Sequence, residues 1–182
     1  MALITPKINA SSVTAGTLPA SRISTLTNTN LPTGTLVNTF TVDARFAEVN
    51  VTSTSYVSVH SDLTFNYTPE LTSSKIYVVG EISASPHNNI GGGSAGGSWA
   101  IFLNGAEQGR QSGAHEYYVH VGVGDAPDLY IGHTIKTAIF TNTTGNALGI
   151  DIKGRMFSST SHWRFNQGSQ WNSLVHVYEY KT

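Results

Sequence analysis

The chain has 182 residues, enough for one domain with a tail and a sizeable core. Only 12% of the residues are charged, the formal net charge is −1 and the ten basic residues are scattered, so the electrostatic footprint that nucleic acid or an anionic membrane requires is missing. Cysteine is absent, which excludes a disulfide framework and thiolate metal sites, and no run approaches the length of a spanning helix.

Residues 1–33 differ in character from the remainder of the chain. The stretch ITPKINASSVTAGTLPASRISTLTNTNLPTG spaces its apolar residues widely, holds two Leu-Pro pairs and lacks aromatic residues. Such a segment cannot build a core alone. It reads either as a disordered leader or as an extended arm that becomes ordered against identical copies or a larger particle. Pro6 and Lys7 fall where a secretory signal needs an unbroken apolar stretch, so no export signal is expected.

From Thr35 onward the pattern alternates with a period of two. Strands are predicted over 36–42, 45–51, 54–59 and 62–67, and a long one over Lys75–Ser83, where Ile76, Val78 and Ile82 share one side and Tyr77, Val79 and Glu81 the other. Next come 98–103, Glu116–Val123, 129–140, Gly149–Phe157 and 173–181, with Tyr118, Phe140 and Phe157 on outward-reading faces. Along Gly149–Phe157, Ile150, Ile152 and Met156 oppose Asp151, Lys153 and Arg155. Turn chemistry separates most of these runs, at Thr68-Pro69-Glu70, Asn104-Gly105, Gly124-Asp125-Ala126-Pro127 and Thr144-Gly145-Asn146. About ten short strands and no sustained helical period predict an all-β fold for residues 34–182: an antiparallel β-sandwich, jelly-roll-like, with a closed barrel as the alternative.

Residues Gly91, Gly93 and Gly96 fit the dinucleotide-binding spacing G-x-G-x-x-G. That chemistry requires a helix to start on the glycines, and here the run Ser98–Leu103 and an Asn-Gly turn come next. A mobile connection between strands is expected instead. His115 and His120 stand five apart, which on a strand sends them to opposite faces and prevents chelation within one chain. No nucleophile elbow and no pair of carboxylates placed across a cleft is visible. The expectation is a non-enzymatic protein with no cofactor and no metal.

The richest polar and aromatic segment is Ser161–Asn172. Trp163, Arg164, Asn166 and Trp171, in a stretch without clean alternation, point to an exposed loop whose flat rings, amide and guanidinium would hold a sugar. The competing reading packs Trp163 and Trp171 into the core or a subunit interface.

Several stretches together carry a resemblance: VTAGTLPASRISTL, LPTGTLV, TSTSYVSV, LTFNYTPELTSSKIYVVGEIS, a Gly-rich loop, WAIFLNGAEQG and a final VHVYEYK. In this order they resemble the small fibre and tail-fibre tip proteins of tailed bacteriophages, particularly those of aquatic bacteria. The similarity covers most of the chain, with Tyr67–Ile76 as its most specific element. It implies a homotrimeric jelly-roll head on a fibrous N-terminus, mounted on a virion through that N-terminal segment and used for host-surface attachment. The sugar-holding reading of Ser161–Asn172 makes a cell-surface glycan the expected ligand, and charge and hydropathy leave no nucleic-acid partner and no membrane insertion to be expected. The fibrous part, only some thirty residues long, also fits a capsid-decorating head fibre or an adaptor without a ligand; a soluble carbohydrate-binding module is a further alternative.

Overall fold

Alternating side chains dictate the backbone throughout. The computed structural model describes residues 31–88, 93–108, 117–121, 133–157, 161–166 and 172–182; within them every regular element is a strand except a 3-10 turn at Ser61–Leu63. The strands are β1 (Leu36–Ala44), β2 (Val49–Val51), β3 (Val57–Ser58), β4 (Thr64–Tyr67), β5 (Ser74–Asn88), β6 (Gly93–Leu103), β7 (Ala106–Gln108), β8 (Tyr117–Val121), β9 (His133–Asn142), β10 (Leu148–Met156), β11 (Ser161–Phe165) and β12 (Ser173–Lys181).

They form two antiparallel sheets, each six-stranded among the described residues. In the first, β5 is the spine. β9 pairs with its residues 74–83, β12 pairs with residues 74–81 from the other edge, and β11 continues beyond β12 over residues 84–88. β1 lies outside β12, and β2 outside β11. In the second sheet β10 is the spine, with β6 on one edge and β3 and β4 end to end on the other. β7 and β8 succeed one another along β6.

The inward faces of both sheets build one core. Ile76, Val78 and Ile82 of β5, Ile150, Ile152 and Met156 of β10, and Val175 and Val177 of β12 are buried, as the alternation predicts. Glycines on one sheet face aromatic rings on the other. A Cβ on Gly154 would stand 2.7 Å from Phe165 Cζ, one on Gly97 3.0 Å from Trp163 Cε3, and one on Gly80 3.1 Å from Trp99 Cη2. Each ring therefore occupies the volume a side chain would take, which lets three large fully buried aromatics fit between the sheets.

One polar device ties the two layers, and a second ties strands within the first sheet. Glu179, on β12, is fully buried, yet its carboxylate accepts hydrogen bonds from Tyr67 Oη on β4 (2.8 Å), Glu70 N (2.8 Å) and Leu71 N (3.1 Å). Burial, and then the bond to Glu179, push the Tyr67 phenol above its ordinary range. At the break between β11 and β12, Asn166 adopts φ 52°. Its backbone N–H reaches Ser83 O at 3.1 Å, its Nδ2 donates to Ala44 O at 3.1 Å and its Oδ1 accepts from Ser173 Oγ at 2.7 Å.

Three expectations are corrected. Gly93–Gly97 belongs to β6 and not to a mobile connection, because β8 pairs along it and Gly97 also pairs with Met156 of β10; residues 91–92 lie outside the described residues. Ser161–Phe165 is a strand and not a loop, since Trp163 and Phe165 alternate inward. Phe140, which reads as outward in the sequence, packs against the core. The segment 1–30 lies outside the described residues, as do His115 and Gly124–Pro127.

Candidate functional site

The outer face of the first sheet is the most unusual surface among the described residues. Its side chains come from positions opposite the core on three neighbouring strands, and antiparallel register aligns them in rows. Tyr178 of β12 stands beside Tyr77 of β5, which stands beside Ile139 of β9. In the next row His176, Val79 and Thr137 are aligned, and on the other flank Tyr180, Lys75 and Thr141. Tyr77 and Tyr180 also meet edge to face, their centroids 5.4 Å apart at 82°.

A groove of about 640 Å³ runs over this face, lined among others by Lys75, Tyr77, Val79, Tyr178, Tyr180 and Lys181. Beside it Ile135 and Ile139 are 66% and 55% exposed. A solvated outer face normally carries polar residues, so β5, with apolar groups on both faces, has the pattern of a strand meant to be covered on both sides. Charges sit at the margins: Lys75 and Lys181 on one flank, Glu81 and Asp43 on the other. Arg45 beside Asp43 holds its carboxyl below the usual carboxylate range, assisted by Asn172. The face offers stacking area and phenol hydroxyls, and at its edge Thr41 Oγ1 lies 3.0 Å from His176 Nδ1. Among the described residues no group of three or more His, Asp or Glu is placed to hold a metal ion.

The sequence-predicted sugar site is distributed otherwise. Trp163 is fully buried and meets Phe165 edge to face at 6.3 Å, so it offers no ring to solvent. Asn166 is likewise buried, its amide spent on Ala44 and Ser173. Arg164, by contrast, turns outward, its Nε 3.5 Å from Glu48 Oε1. Trp171 lies outside the described residues. Three of the four thus share one end of the first sheet but face opposite directions. The tyrosine and isoleucine face escaped the sequence reading, although Tyr77 and Val79 flanking Ile76 and Val78 carried its signal.

No family model matches the chain, and no curated protein matches it.

Proposed function

We propose that this chain is a non-enzymatic structural protein of a bacteriophage virion, a homotrimeric short fibre or tail-fibre tip that attaches to a host-surface glycan. In this reading residues 34–182 are a jelly-roll head, and residues 1–33 mount it on other virion proteins. The protein then resides on the virion, outside the cell after release.

Strand order supports the jelly roll. Merging the collinear pieces (β1 with β2, β3 with β4, β7 with β8, β11 with β12) leaves eight strands ordered 1-8-3-6 and 2-7-4-5. First pairs with last, second with seventh, third with sixth and fourth with fifth, which is a long hairpin rolled into two Greek keys.

The observation that carries the assembly is the exposed pair Ile135 and Ile139 on a face rich in tyrosine. Aromatic and aliphatic groups in the middle with charges displaced to the rim is the anatomy of a subunit interface. Positive charge lies on one flank of that rim and negative charge on the other, so one flank complements the opposite flank of a neighbour in a closed ring. Three copies, the number the resemblance implies, also give the sparse Ile, Val and Leu of the leader a shared axis.

Light scattering of the purified chain at micromolar concentration tests this. A mass of three subunits is expected; a folded monomer overturns the proposal. Purified protein is further expected to bind host cells. A trimer that binds none overturns attachment and favours a decorating head fibre or adaptor.

A further inference from the structure

The outer face of the second sheet carries a different cluster. Strand β10 sends Asp151, Lys153 and Arg155 outward, opposite Phe102 and Ser98 of β6 and beside Ser58 of β3 and Thr64 of β4. Asp151 is satisfied from three sides: Ser58 Oγ donates to Oδ2 at 2.7 Å, Thr64 Oγ1 donates to Oδ1 at 2.9 Å, and Lys153 Nζ stands 3.5 Å from Oδ2. Asp151 is thus paired with Lys153, and Glu107 of β7, opposite Phe102, stands on the same face.

Both cations also rest on aromatic rings, and among the described residues only Lys153 of the two is ion-paired. The Lys153 ammonium lies 4.7 Å from the centroid of Phe102, and the Arg155 guanidinium 4.7 Å from that of Tyr56. Arg155 Nε donates to Ser98 Oγ at 3.0 Å, and Tyr56 Oη lies 3.0 Å from the same oxygen. The two rings brace one another edge to face at 5.3 Å. Aromatic faces attract a cation through their quadrupole but add no net negative charge. Among the described residues Arg155 forms no ion pair, so its terminal amino groups remain available as a planar fork. Residues two apart on a strand project from one face about 7 Å apart, a span comparable to one sugar ring.

We propose that this face binds an acidic saccharide, with Arg155 taking a sugar carboxylate in its fork and Lys153 adding a second positive contact. Hydroxyls of Ser58 and Tyr56, with the Asp151 carboxylate, lie where ring hydroxyls would meet them. The inference deepens the attachment reading and rests on it for its biological setting.

The test measures binding of the full chain to immobilised polygalacturonate, with dextran as the neutral control. Saturable binding to polygalacturonate and none to dextran is expected. Arg155→Gln is expected to weaken it at least tenfold, Arg155→Lys less, and Lys153→Gln severalfold, with unfolding midpoints near the wild-type value. Polyglutamate, an anionic chain without sugar rings, serves as the control for general charge. No binding to polygalacturonate, equal binding to dextran, or equal binding to polyglutamate each overturns the inference. A trimer that fails this test overturns the acidic ligand alone, whereas a monomer that passes it overturns the assembly alone.

Discussion

The two outer faces of the sandwich grow from the same local rule and end with opposite chemistry. Along β5 and β12 the positions turned from the core hold Tyr77, Val79, Tyr178 and Tyr180; along β10 they hold Asp151, Lys153 and Arg155. Burial on the inner side is equally complete in both spines, with Ile76, Val78, Ile150 and Ile152 all at or near zero exposure. The core therefore does not decide what lies outside. The first face has the character of a surface covered by protein and the second that of a wet one, and each can be altered without touching the other.

The strongest way to break this contrast is to give the first face the character of the second. Ile139→Asp, alone and with Ile135→Asp, places carboxylates in the middle of the proposed interface, where an unpaired buried charge costs several kcal/mol per ion. Light scattering should then show monomers at concentrations at which the wild type is expected to be a trimer. Binding to polygalacturonate per site should persist while avidity falls. A trimer that survives both substitutions would show that this face is not the interface.

Next in size is a change between the faces. Trp163→Ala removes a fully buried ring that rests on Gly97, and a loss of about 3–5 kcal/mol is expected from the cavity it leaves. Because β11 and β6 belong to different sheets, both faces should fail together on chemical denaturation. Were Trp163→Ala instead to abolish cell binding at unchanged stability, the ring would have to be a ligand contact after all.

A subtler intrusion comes from Gly154→Ala, which would force a methyl group to 2.7 Å from Phe165 Cζ beneath the strand that carries Lys153 and Arg155. Overpacking of this kind costs about 1–3 kcal/mol. The strain sits under the second face, so saccharide binding should weaken more than trimer formation. Equal effects on both would mean that the sheets move as one body.

How far these features could be read from the sequence depends on where their partners lie. Strand β10 was legible because Ile150, Ile152 and Met156 alternate with three charged residues, and the Asn104-Gly105 turn because both residues adopt positive φ, 49° and 80°. The start of β6 was not legible. Gly96 and Gly97 give no alternation of their own, and what holds them in a strand is β8 alongside and, at Gly97, Met156 of β10. Strand β11 hid its Trp163-Arg164-Phe165 alternation among Asn, Gln and Ser neighbours. The cation cluster combines Tyr56, Ser98 and Arg155 from three separate segments, with Ser98 42 residues from Tyr56 and 57 from Arg155, distances that no local pattern spans.

The smallest expected effect concerns the bond that joins the layers. Tyr67 extends from β4 in the second sheet, and Glu179 from β12 in the first, where it points inward between the outward-facing Tyr178 and Tyr180. Because the folded state raises the Tyr67 pKa above its ordinary value of 10.0, the unfolded chain gives up this proton first. The stabilisation is therefore full below about pH 10 and is lost as the pH rises beyond it. Tyr67→Phe leaves Glu179 short of one donor and should cost about 1–3 kcal/mol at pH 8. Denaturation curves taken from pH 8 to 11 should show the gap between wild type and Tyr67→Phe closing as the solution becomes more alkaline. A gap that stays constant would mean that the phenol contributes only through packing, and the two faces would then be joined by the apolar core without help from a polar link.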